Sequence, residues 1–255
     1  MRVLLPLAGI LVAFGAASVF GQGEAAPPRS GYDFLTPESQ ALQDDDFANP
    51  GMLWVETGIA LWGEANSAGQ SCASCHDEAA MQGVAARYPA WSDELGRVIN
   101  LEQRINYERE TRLGLPALDY ESEALLGMTS YLGNLSKELP IAVEVDGEAA
   151  ESFARGREFF YARRGQLNLS CASCHEQHVG DHLRADTISE GQINGFPIYR
   201  ALWQEMGSTH RMFAWCNEAV RAEPYAAGSQ EYVDLELFER WRGMGLTVET
   251  PALRR

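Results

Sequence analysis

The chain has 255 residues, 45% of them apolar and 22% charged, with 20 basic residues against 36 acidic ones and a formal net charge of −16. Without a leader, that length allows two domains of about 100 residues each. So acidic a chain argues against a nucleic-acid-binding surface, because such surfaces neutralise phosphates with Lys and Arg.

Arg2 opens a run, Val3 to Phe20, that is apolar apart from Gly, Ser and Pro6, and small residues follow it. This reads as a secretory signal peptide, residues 1–21, cleaved near Gly21–Gln22. An uncleaved run of this length could nearly span a bilayer. Pro6, the glycines at 9, 15 and 21 and the small-residue exit favour cleavage. The expectation is a bacterial periplasmic protein without a membrane span after processing. Residues 22–45 are polar and rich in Gly, Pro, Ser and Asp, and read as an extended arm or linker.

Two similar units follow, at 46–140 and 148–255, joined by a linker at 141–147 that begins after Pro140. In the first, Gly58, Leu61 and Trp62 mark a short helix, and Leu125, Met128 and Leu132 repeat at helical spacing within Glu121–Leu135. In the second, Gly156, Phe159, Phe160 and Tyr161 mark the equivalent of the first helix. A glycine about 14 or 15 residues before a cysteine pair, with a bulky apolar residue three on, is thus duplicated. A glycine at such a place lets one helix cross another closely. Tyr199–Met206, His210–Ala222 and Gln230–Arg242 read as further helices, with loops at Asp186–Pro197 and Glu223–Gly228, so the expected fold is mostly α. Residues 23–147 hold 7 bases and 21 acids, net −14, and residues 148–255 hold 12 and 15, net −3. The second unit is therefore the better home for an anionic substrate.

Each unit carries the same hexapeptide, Ser71-Cys72-Ala73-Ser74-Cys75-His76 and Ser170-Cys171-Ala172-Ser173-Cys174-His175. Cys-x-x-Cys-His is the attachment site of a c-type haem, whose vinyl groups take the two sulfurs while the adjoining His ligates the iron. Cys72, Cys75, Cys171 and Cys174 are the expected attachment points for two covalent haems, and His76 and His175 the proximal ligands. A tetrathiolate zinc site also uses paired Cys-x-x-Cys, but it does not explain the His at the same place in both copies. A thioredoxin-like dithiol would need a βαβ setting that is not apparent here. Covalent haem also supplies apolar surface that domains this small lack.

Cys216 remains as a fifth, unpaired cysteine in a compartment where thiols oxidise. One reading is a buried apolar cysteine. The other is a thiolate sixth ligand to the second haem, which would lower its reduction potential. His178, His182, Met206, His210 and Met212 are alternative ligands, with His178 too close to His175 to reach the far face easily.

The stretch from Leu169 through Asp186-Thr187-Ile188-Ser189 and Phe196-Pro197-x-Tyr199-Arg200 resembles the SoxA family of sulfur-oxidation cytochromes. So do Cys216-Asn217-x-x-Val220-Arg221-Ala222-Glu223-Pro224 and Trp241-Arg242-Gly243. In the first unit the likeness runs through Gly83-Val84-Ala85-Ala86-Arg87-Tyr88-Pro89, Asn100-Leu101-Glu102-Gln103-Arg104-Ile105-Asn106 and Glu121-Ser122-Glu123. The resemblance covers nearly the whole mature chain. It implies two tandem cytochrome c-like domains and the activity of an L-cysteine S-thiosulfotransferase subunit. Such a subunit pairs with SoxX, a small cytochrome c, and joins thiosulfate to a cysteine of the carrier SoxY. It also implies that Cys216 is the distal ligand of the second haem and the reactive sulfur, carrying a persulfide. Two departures from the family pattern stand out. The position four before the cysteine, often arginine in the family, is Met212, which leaves Arg211 as the candidate to bind thiosulfate. Glu108 stands where two-haem members place the cysteine that ligates the first haem, so Met52, Met81, Met128, Glu108, water or an open position are the alternatives, Met128 reading better as core. Rival functions are a dihaem thiosulfate dehydrogenase that forms tetrathionate and a plain electron-transfer cytochrome; a dihaem peroxidase has only the two motifs in its favour.

Overall fold

The structure is a computed structural model and describes residues 26–255. The signal peptide read at 1–21 and the first residues of the arm lie outside it. From residue 26 the arm is not extended. A 3-10 turn at Gly31–Phe34 precedes helix α1 (Pro37–Asp44). Thr36 caps α1 through its hydroxyl, and Pro37 begins it, the position where a missing N–H costs nothing. That start signal was present in the sequence but masked by the polar composition around it.

Two helix pairs organise the rest. Helix α2 (Met52–Gly63) leads to two single turns, α3 (Cys72–Cys75) and α4 (Glu78–Met81). A hairpin of β1 (Ala90–Ser92) and β2 (Arg97–Ile99) follows, then α5 (Leu101–Arg112) and α6 (Glu123–Asn134). Val55 and Trp62 of α2 pack with Leu125, Met128, Tyr131 and Leu132 of α6 and with Leu101 and Ile105 of α5. A Cβ on Gly58 would run into the Gly127 carbonyl, so these helices cross backbone against backbone.

The pattern recurs. Helix α7 (Ala150–Tyr161) leads to α8 (Cys171–His175), and α10 (Gln230–Arg242) lies against α7 where a Cβ on Gly156 would meet the Asp234 carbonyl. Phe159, Phe160, Phe213, Tyr232, Leu235 and Phe238 fill this second core. Between the pair lie the two-residue strands β3 (His182–Leu183) and β4 (Asp186–Thr187), then β5 (Ile198–Arg200), β6 (Glu205–Gly207) and α9 (Thr209–Ala219).

Tyr199–Met206 is not the helix its apolar spacing predicts. It is the β5–β6 hairpin, turned at Gln204 with φ +56°, and Leu202, one of the apolar positions, points out to solvent. The helical period there arose by chance from two short strands and a turn. Residues 141–147 also differ from a free linker. Ile141 and Val143 are buried, and Ile141 and Ala142 donate backbone N–H groups to Leu246 and Ala86. The chain then ends in β7 (Ala252–Arg254), parallel to β5. This last segment also reaches the first half: Glu138 N–H bonds to Val248, Asn49 to Pro251, and Leu253 N–H to Gln43. The fold is mostly helical, its strands at most three residues long, and among the described residues no helix is long and apolar enough to cross a membrane.

Candidate functional site

Both hexapeptides fold alike. Ser170 caps α8 by accepting from Ser173 N–H, and Ser173 Oγ returns the bond from Ser170 N–H at 3.1 Å. Ser71 and Ser74 form the same reciprocal box on α3. These serines start a helical turn where no longer helix would nucleate it. One turn puts each cysteine pair, three residues apart, on one face.

Beyond α8 the second copy is supported from outside. His175 Nδ1 lies 2.9 Å from the Ser189 carbonyl. A carbonyl only accepts, so Nδ1 holds the ring proton and Nε2 keeps its lone pair. Gly191, at φ +74°, packs against His175, where a Cβ would sit 2.7 Å from His175 Cγ. Burial pushes the His175 pKa down, so the ring stays in its neutral, metal-ligating form.

Cys216 comes from the last turns of α9 to the same place. Burial, opposed mainly by the charge of Arg200, pushes its thiol up to about 12; anionic Cys174 would raise it further, and Cys216 in turn raises Cys171. Cys216 is thus within electrostatic reach of Cys171 and Cys174, and Cys171 packs against the core of Phe159, Phe160 and Phe213. Free thiols on one helical face, an imidazole with Nε2 available and an aromatic wall fit a covalent haem: Cys171 and Cys174 would hold it, and His175 would ligate it.

The first copy is barer. His76 is exposed, its ring 5.9 Å from that of Trp62, and among the described residues no backbone carbonyl holds its Nδ1. Cys72 packs on the first core, its thiol raised by burial and lowered by Arg109. Glu108 is close enough to raise that thiol too, but Arg104 (3.1 Å) and Arg112 (3.6 Å) already engage its carboxylate. Met128 is 1% exposed inside the core, and Met52 and Met81 pack against it. The thiol pair and His76 fit a haem here as well, with no distal ligand singled out.

The remaining candidates are placed as follows. Arg211 is not brought to Cys216 as a free cation: it reaches Glu205 at 2.6 Å, donates to the Met206 carbonyl and lies over the Trp203 ring. His210 is buried, its Nδ1 accepting from Gly228 N–H and its Nε2 3.1 Å from Glu236. His178 pairs with Asp181 on the surface, and Met206 is buried. No group of three or more His, Cys, Asp or Glu side chains able to hold a metal ion forms among the described residues, so the four motif cysteines do not gather around one zinc. Sequence reasoning missed Ser189, Gly191 and Arg200 as site residues. Only Arg200 and Ser189 carried any signal, as members of family-like strings.

Comparison with known proteins agrees with this geometry. The family model described as "SoxA/TsdA, cytochrome c domain" matches residues 57–141. The L-cysteine S-thiosulfotransferase subunit SoxA of Rhodovulum sulfidophilum is 43% identical over 229 residues, which is 89% of this chain and 80% of that protein. The subunit of the same name from Pseudaminobacter salicylatoxidans is 44% identical over 230 residues, with the same coverage. The crystal structure of SoxXA from P. pantotrophus superposes with a TM-score of 0.86 at 37% identity, covering 89% of this chain and 87% of that one. Similar in sequence over most of its length and alike in fold, the chain belongs to the SoxA family.

Proposed function

We propose that this protein is the catalytic subunit of an L-cysteine S-thiosulfotransferase, joining thiosulfate oxidatively to a cysteine of a SoxY-type carrier. One observation carries the assignment to residues: Cys216, the sole cysteine outside the two haem motifs, sits on α9 within electrostatic reach of Cys171 and Cys174. The relatives' shared name supports the activity, and the likeness to a SoxXA structure supports a small SoxX-type cytochrome c as heterodimer partner.

Two tandem cytochrome c-like units then carry one haem c each, at Cys72, Cys75 and His76, and at Cys171, Cys174 and His175. Bound haem supplies an iron centre that takes up electrons one at a time. Cys216 would also ligate the second iron. As a thiolate or persulfide it couples with the outer sulfur of thiosulfate by loss of two electrons. The carrier thiolate then attacks that outer sulfur, taking the thiosulfonate group and releasing Cys216 in its starting form. Exchange at sulfur runs through mixed disulfides, with a thiolate as attacking group. Joining thiosulfate to a thiol forms one S–S bond, releases the thiol proton and leaves two electrons, which pass in sequence to oxidised cytochrome c. His175 keeps its orientation through Ser189 and Gly191 while this proceeds. The leader read at residues 1–21 supports a periplasmic location for the reaction.

The test is an assay of the haem-loaded heterodimer with thiosulfate, a SoxY-type acceptor and oxidised cytochrome c, with mass spectrometry of the acceptor. A thiosulfonate adduct is expected with the wild type and none with Cys216→Ala. Cytochrome reduction with tetrathionate and no adduct would replace the transferase by a thiosulfate dehydrogenase. Electron carriage without either sulfur product would leave an electron-transfer cytochrome.

A further inference from the structure

Arg200 leaves the last position of β5 and is 6% exposed. Its guanidinium lies over the Trp215 ring, 4.3 Å from the centroid, and its Nη1 stands 3.3 Å from Met212 Sδ. Met212 precedes Trp215 by three residues and Cys216 by four on α9, so both are its neighbours along the helix surface. A cation that touches Met212 and Trp215 is therefore on the side of α9 that carries Cys216. Nε donates to the Arg255 carbonyl at 2.9 Å, and Nη2 reaches the partly exposed Asp186 at 3.4 Å. Nη1 faces only a thioether, a weak acceptor, so this buried guanidinium keeps donor capacity on its α9 side.

Of the other nearby arginines none acts on Cys216, although Arg164 keeps a buried Nε without a protein partner. Arg211 is neutralised by Glu205. Arg164 lies over Phe159 at 3.6 Å and donates to Asn217, and its charge acts on Cys171. On α10, Glu239 adds negative charge facing Cys216, tempered by Arg242 at 2.9 Å. A dianion approaching the sulfur of Cys216 thus needs one fixed positive charge there.

We propose that Arg200 is that charge, a positioning residue that draws thiosulfate to Cys216 through its under-used Nη1 face and restrains the dianion beside the sulfur. This rests on the thiosulfate reaction proposed above. Asp186 competes with substrate for the same guanidinium and sets how much of its charge is available.

The haem-loaded heterodimer provides the test, as wild type and as Arg200→Gln, Arg200→Lys, Arg211→Gln and Asp186→Asn. Thiosulfate dependence of adduct formation is measured beside calorimetric titration with thiosulfate, which requires no turnover. Arg200→Gln is expected to raise KM and Kd for thiosulfate about tenfold or more, the effect of losing a charge-assisted hydrogen bond. The fall in kcat should be smaller, Arg200→Lys should recover most of the affinity, and Asp186→Asn should tighten binding. A general structural defect would produce neither the lysine rescue nor the gain in Asp186→Asn. Unchanged thiosulfate affinity in Arg200→Gln, or a loss confined to Arg211→Gln, overturns the assignment. If Arg200→Gln loses haem or fails to fold, unchanged affinity in Asp186→Asn overturns it instead. Thiosulfate binding that depends on Arg200, with no adduct in the wild type, would keep the positioning role and remove the transferase.

Discussion

His175 and His76 end the same hexapeptide, yet their rings have different surroundings. The Ser189 carbonyl fixes the proton on His175 Nδ1 and Gly191 packs against the base of the ring, whereas His76 is exposed beside Trp62. Outer partners of this kind orient a metal-binding histidine and set its tautomer. Gly191→Ala attacks that support twice. It asks an L-residue to hold φ +74°, and it sets a methyl group 2.7 Å from His175 Cγ. The expected result is a loss of about 1–3 kcal/mol in unfolding free energy, from strain and overpacking together. The visible spectrum of the second haem should change while that of the first stays as in the wild type. An unaltered spectrum would mean that Gly191 does not hold the ring. Nothing in the sequence singled out Gly191, because its partner lies across a loop. The hexapeptides, by contrast, were legible at once, since their chemistry is local and their capping serines lie inside the motif.

At the scale of elements, the two crossed pairs α2–α6 and α7–α10 were legible because each leaves a glycine at a repeated distance before its motif. Gly156 sits where α7 meets the backbone of α10, and a Cβ there would press on the Asp234 carbonyl, which cannot swing away as a side chain could. Gly156→Ala should force the helices apart and cost about 3 kcal/mol, at the upper end of overpacking penalties. Gly63→Ala, at the open end of α2 with nothing near the added methyl, should be neutral or slightly stabilising. Guanidinium midpoints of the two variants measure the contrast, and equal midpoints would show that the crossing is loose. The polar faces of these helices were harder to read. Asp234, Glu236, Glu239 and Arg240 of α10 are all buried, although charged residues are rarely so. Arg155 reaches Asp234 at 2.5 Å, Arg242 reaches Glu239, and His210 and Asn100 face Glu236. Arg200 was obscure for the same reason. The β5–β6 hairpin, which runs directly into α9 and whose sequence has a helical period, carries it there.

Across the whole molecule, the two halves meet over charge rather than over an apolar seam alone. Glu102 from α5 in the first half faces Glu236 and Arg240 of α10 around a cavity of about 20 Å³, which Tyr88, Thr129 and Thr209 also line. That volume suits a single water, and Arg240 Nε and Nη1, buried without protein partners, supply donors for it. Burial, then the negative charge of Glu236, raises the Glu102 pKa from 4.5 to about 7, with His210 opposing. The folded state therefore binds a proton that the unfolded chain gives up between pH 4.5 and 7. Stability falls as pH rises through that window and levels off above it, with a slope from this residue of at most about 1.4 kcal/mol per pH unit. Glu239, raised to about 7 mainly by burial, acts in the same direction. Relief of repulsion in a chain of net charge −16 would also favour low pH, so the wild-type slope alone does not isolate the cluster. Glu102→Gln does isolate it, because the amide has no proton to lose. Urea unfolding at pH 5 and pH 8 should find the variant close to wild type at pH 5 and more stable than wild type at pH 8. Parallel pH profiles for the two proteins would show that Glu102 is already ionised in the fold and that the halves are joined without its proton.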